Sequence, residues 1–162
     1  MVNVTRTLAH KCKLPTLGTP TIITYHCADT PEGRDDKAEK IVGMDMVRFK
    51  QPSYHFVVEL DGSVVQCLKL TELGAHVGQH NHHNIGVCYV GGRGLDGKTK
   101  DTRTQAQKAS LRRIDAELKA AFKTITVSKG HRDWSPDLDH DGKVEPHEWL
   151  KMCPCFDVAT QL

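Results

Sequence analysis

The sequence predicts a single α/β domain built on one central mixed β-sheet with helices packed against it. Three observations carry that expectation. Short β-branched runs alternate with segments of helical periodicity, and no apolar run is long enough to span a membrane. The 162 residues, 38% of them hydrophobic, suit one ordinary core. Finally, no internal repeat or compositional break divides residues 1–162, so they read as one domain.

The first twenty residues are mixed and close on a Gly-Thr-Pro turn, which reads as a strand or arm entering the domain. Thr21 to His26, TIITYH, is β-branched and apolar, the pattern of a buried strand. His26 ends it, where a sheet would fix the direction of a metal ligand; a histidine satisfied by a backbone carbonyl is the competing reading. Cys27 points the other way and reads as a small core residue. From Asp35 to Lys50, Ala38, Ile41, Val42, Met46 and Phe49 recur at helical spacing and predict a core-facing helix. Ser53–Leu60, Asp61-Gly62 and Ser63–Leu68 then form a hairpin signal.

Lys69 to Asn84 is a polar loop holding His76, His80, His82 and His83. It is expected to be solvated and to face substrate, with His76 and Asn84 as contacts; a histidine metal cluster is the competing reading. Ile85 to Val90 is a second buried strand, ended by two glycines, and Arg93 to Arg103 is a connection. Thr104 is the expected N-cap of a helix reaching Phe122 that buries Ala109, Leu111, Ile114, Leu118, Ala121 and Phe122. Ile125 to Val127 is a short strand delivering Gly130 and His131.

The tail, GHRDWSPDLDHDGKVEPHEWLKMCPCFD, carries two interleaved metal signals. Residues 137–148 match the calcium-loop pattern D-x-[DN]-x-[DN]-G-x5-E at each fixed position. Asp137, Asp139 and Asp141 would give side-chain oxygens, Lys143 its carbonyl, Glu145 a water-mediated contact and Glu148 a bidentate carboxylate. HRDWSP cannot serve as an incoming helix, so the loop would be half an EF-hand, with a helix after it stopping near Met152. Val144 would pin it to a core. Around this loop, His131 precedes it while Lys151 and Cys153 follow. Cys153 stands before a proline, hence in extended geometry, with Lys151 on the same side. That makes half of a candidate zinc site, its third ligand to be sought elsewhere. Asp133 is open between orienting His131 and capping a turn.

A formal charge of +2 gives no argument for nucleic acid. The N-terminus lacks the apolar stretch of a signal peptide, which predicts that the product first accumulates in the cytoplasm. Six cysteines in that setting favour free thiols or metal ligands. A cysteine peptidase using Cys27 or Cys153 is disfavoured, because Cys153 does not sit at a helix N-terminus that would activate it.

In order, TYHCADT, SYHFVVELDGSV, GAHVGQHNHHNIGVCYVGG, GHRDWSP and KMCPCFD resemble the blocks of zinc-dependent N-acetylmuramoyl-L-alanine amidases of the phage-lysozyme type, relatives of peptidoglycan recognition proteins. The resemblance spans roughly residues 20–158. It implies zinc on His26, His131 and Cys153, catalytic roles for Tyr54 and Lys151, and an endolysin that acts on peptidoglycan after release, as a monomer. The calcium loop is a departure from the family's short connection. Two further readings stand beside it: a cytoplasmic muropeptide-recycling amidase, and a non-catalytic peptidoglycan- or calcium-binding module.

Overall fold

The computed structural model describes residues 1–162. In chain order the elements are β1 (Arg6–Thr7), β2 (Ile22–Cys27), β3 (Thr30–Pro31), α1 (Ala38–Phe49), β4 (Phe56–Val58), β5 (Val64–Gln66), β6 (Asn84–Tyr89), β7 (Gly92–Arg93), α2 (Gln105–Ala121), β8 (Val127–Gly130) and α3 (Val158–Gln161). The main sheet runs β1-β5-β4-β6-β2-β8, and β3 with β7 makes a small second ladder. Among the strand ladders only the β4–β5 hairpin is antiparallel; the others are parallel. The sheet is therefore mixed, as the sequence predicts.

Parallel strands are buried on both faces, and β2 and β6 show it. Alternation along β2 sends Ile23, Tyr25 and Cys27 into the larger core, with Leu111, Ile114 and Leu118 of α2. Full burial of each of those three helical side chains is worth about 1.5–3 kcal/mol. Ala38 and Ile41 of α1 pack with Val57, Val65, Cys88 and Val90 in a smaller core. Thr104 caps α2 in a capping box with Gln107. The Gln107 amide also donates to the carbonyls of Val58 and Val90, tying α2 to β4 and to the residue after β6.

Some expectations need correction. Within α1, Met46 and Phe49 are exposed and Val42 is half-buried, while Asp45 is buried and accepts the Ser53 N–H. The helical period marks an apolar face, but here part of that face borders a groove. In α2, Ala109 and Ala121 are exposed and Gln107 takes the inward position. The last strand begins at Val127, and Ile125 is a core residue before it.

Candidate metal and catalytic site

Register brings the site together. Tyr25 pairs with Gly130 in parallel β2 and β8, so the next residues, His26 and His131, stand side by side where the strands end. Ligand sites in open parallel sheets gather at such carboxyl ends. His131 opens a 3-10 turn, His131–Trp134, and the Asp133 carboxylate accepts the Gly130 N–H. Asp133 therefore caps the turn that presents His131, the second of the two roles named for it above.

Cys153 arrives from the tail. Its carbonyl accepts the Arg132 N–H at 2.8 Å, and its sulfur accepts the Cys27 N–H at 3.2 Å. The Tyr89 hydroxyl donates to the Pro154 carbonyl at 2.9 Å, and Arg103 lies over the Phe156 ring, so the segment is anchored on both sides.

The donor atoms of His26, His131 and Cys153 all lie within 4.8 Å of one another. His26 Nδ1 is 3.1 Å from His131 Nδ1 and 3.8 Å from Cys153 Sγ. Zinc bonds of ordinary length put tetrahedral ligands about 3.3 Å apart for two nitrogens and about 3.6 Å for nitrogen and sulfur. The set fits zinc with small adjustments. Burial holds both histidines neutral, the form that ligates: it pushes His26 well down, helped by the charges of His76, His131 and Lys151. Burial and the Lys151 ammonium lower His131 to about 4.

A cavity of about 530 Å³ opens beside these donors, lined by Tyr54, His76, His131, Lys151 and Cys153 and walled by Met44, Asp45, Arg48 and Phe49 of α1. A smaller one of about 150 Å³ lies past it, between Val77, His80, Trp134 and Leu150. His131 and Lys151 line both, so Lys151 stands where the two cavities meet. The Tyr54 ring is 5.0 Å from that of His26. Burial raises its hydroxyl well above the ordinary value, so it stays a donor.

Asp45 and Arg48 went unnoticed in the sequence because they sit on a helix read only for its core face. The loop 69–84 also differs from expectation. His82 and His83 are exposed and His80 stacks on Trp134, but His76 is buried and its Nδ1 lies 3.1 Å from His26 Nε2. Asn84 is fully buried: its Oδ1 accepts from Thr24 and its amide donates to the His80 carbonyl. Its side chain is spent within the fold, which corrects the expectation of a substrate contact.

In the acidic loop, the carboxylates of Asp137, Asp139 and Asp141 approach within 4.8 Å, and Asp139, His147 and Glu148 form a second such group. Glu148 is buried and accepts the N–H groups of Leu138, Asp139 and Glu145. Lys143 is exposed, Glu145 and Val144 half-buried. The expected helix after the loop is absent: Pro146–Glu148 is a single 3-10 turn. Trp149 lies under the Arg132 guanidinium, and the Leu150 N–H donates to Ser135 Oγ, so the chain is pulled away from helical geometry. The loop has neither EF-hand helix.

Comparison with known proteins gives the family of the chain. The sequence matches the N-acetylmuramoyl-L-alanine amidase family over residues 16–148, a span that stops short of Lys151 and Cys153. It is 48% identical over 103 residues to an uncharacterized protein of Haemophilus influenzae, covering 64% of this chain and 88% of that one. It is 31% identical over 143 residues to the endolysin of Klebsiella phage KP32, covering 84% of this chain and 81% of that one. Among solved structures, the amidase LysC from Clostridium intestinale superposes with a TM-score of 0.69 at 20% identity, over 93% of this chain and 88% of that one. By its match over most of its length, the chain belongs to the N-acetylmuramoyl-L-alanine amidase family.

Proposed function

We propose that the chain is an endolysin that hydrolyses the amide between the lactyl group of N-acetylmuramic acid and the first L-alanine of the stem peptide. One observation carries this reading: His26, His131 and Cys153 converge beside a groove that Tyr54 and Lys151 also line. The phage relatives support the endolysin role over a recycling one. Synthesis in the host cytoplasm and action on the wall after release follow from that role, with a monomer as the working unit. No helix is long and apolar enough to cross a membrane.

His26, His131 and Cys153 would hold a zinc ion. When bound, it supplies Lewis acidity toward a water and the amide carbonyl. Tyr54 and Lys151 are then the catalytic residues. The Tyr54 hydroxyl, kept protonated by burial, offers a hydrogen bond from the groove wall. Lys151 sets an ammonium beside His131, to counter charge growing on the carbonyl oxygen and to hand a proton to the departing amine. Arg48, exposed on α1, bounds the larger cavity and offers positive charge to the peptide.

A second metal reading concerns residues 137–148. We propose structural calcium there, on Asp137, Asp139, Asp141, the Lys143 carbonyl, Glu145 and Glu148. The supporting observation is that Asp137 Oδ1 and Glu145 Oε2 are buried without a hydrogen-bond donor, a deficit a cation would offset.

Digestion of purified peptidoglycan tests the activity: new N-terminal alanine is expected, and new reducing sugar would refute it. Cys153→Ser should lose zinc and wall lysis together. A wild-type protein that holds zinc and leaves the wall intact would favour the non-catalytic module.

A further inference from the structure

We propose that His76 is a positioning residue: it fixes which nitrogen of His26 is free to take a metal. This rests on the zinc reading above and gives His76 a different task from the substrate contact expected of it.

The argument follows the protons outward from a fixed point. His76 Nε2 lies 3.1 Å from the Asn84 carbonyl oxygen. A carbonyl only accepts, so Nε2 carries the proton. The ring is buried and neither nitrogen meets a carboxylate, its hydrogen-bonding partners being that carbonyl and His26, so it carries a single proton. His76 Nδ1 is therefore a lone pair, and the atom 3.1 Å from it is His26 Nε2. A lone pair facing that nitrogen requires His26 to carry its proton there. His26 Nδ1 is left bare, and it is the atom that faces His131 and Cys153. The backbone carbonyl thus selects one His76 tautomer, and His76 selects the ligating tautomer of His26.

The surrounding chain is shaped to hold that ring. The Asn81 side-chain oxygen accepts the N–H groups of both His76 and Val77, at 2.9 and 2.8 Å. Gly86 leaves the slot: a Cβ there would stand 2.8 Å from the His76 ring, and one on Gly74 3.1 Å from it. On its far side His55 is 6.2 Å away, edge-on, with its own Nδ1 accepting the Gly86 N–H. Tyr54, the remaining neighbour, is 6.4 Å away.

Two measurements test this. Nitrogen-15 spectra of the metal-free wild-type imidazoles should show both His26 and His76 protonated at Nε2; a His26 protonated at Nδ1 overturns the proposal whatever the variants do. Zinc affinity, read by competition with a chromogenic chelator, should fall about 10- to 100-fold in His76→Leu. His76→Asn, whose amide oxygen can replace Nδ1 as acceptor, should recover most of that loss. A folded His76→Leu with wild-type zinc affinity and only a raised KM would make His76 a substrate contact and overturn the proposal. A wild-type protein that binds no zinc would instead overturn the zinc reading, while the metal-free spectra still decide the tautomers.

Discussion

Gly86→Ala is the sharpest probe of the packing around the site. Gly86 lies within β6, fully buried, at a backbone conformation open to any residue, so alanine brings no dihedral strain. The added Cβ would stand 2.8 Å from the His76 ring, well inside contact distance. The ring cannot simply retreat, because its two nitrogens are each held at 3.1 Å, by His26 and by the Asn84 carbonyl. Overpacking of this kind costs about 1–3 kcal/mol. Stiffening of the unfolded chain returns about 0.4–1 kcal/mol. The net is a loss of about 1–2 kcal/mol, or about 2–8 °C in Tm for a domain of this size. Urea denaturation should show a lower midpoint with an unchanged slope, and zinc affinity should drop with it. Gly43→Ala in α1 is the control: nothing lies within 4 Å of its new Cβ, and it should stabilise by about 0.5–1 kcal/mol. A Gly86→Ala protein as stable as wild type, with unaltered zinc binding, would refute the account of the slot.

Tyr54→Phe and Lys151→Ala should keep zinc but lose about 100-fold or more in kcat, and a raised KM alone would make both residues binders only. The metal-free protein should weaken as pH falls. Burial lowers His55 to about 4 and His76 to about 3, so between the ordinary histidine value and about pH 4 the unfolded chain takes up protons that the folded one refuses. Urea midpoints that stay flat from pH 7 to pH 5 would contradict this. Calcium added to metal-depleted, zinc-restored protein should raise Tm and alter Trp149 fluorescence, adding about 2.7 kcal/mol at a hundredfold over its Kd, and Asp139→Ala should abolish both effects. No change in the wild-type protein would leave residues 137–148 as a solvated loop.

How much of this was legible in the sequence depends on whether the information is local. The strand of His26 announces itself through β-branched residues, α2 through its period and its Thr104 cap, the hairpin through Asp61-Gly62. The acidic loop was legible as a pattern of ligands, but the pattern presupposes helices that Pro146, the Trp149–Arg132 contact and the Ser135 bond to Leu150 do not allow. The period of α1 likewise could not distinguish residues that meet a core from Phe49, which meets a groove.

What no local pattern holds is pairing. His26 and His131 are brought together by the register of two parallel strands, and that register is decided by the burial of whole strand faces. The polar loop of histidines shows the same limit from the other side. Its composition argued for solvent, and His82 and His83 obey. His76 departs from it because Gly86, on strand β6, leaves an opening that only a missing side chain provides. Resemblance proposes residues for the site one by one. The proton on each nitrogen, which decides whether a histidine can ligate at all, depends on a carbonyl at the head of β6 and becomes readable only once the sheet is assembled.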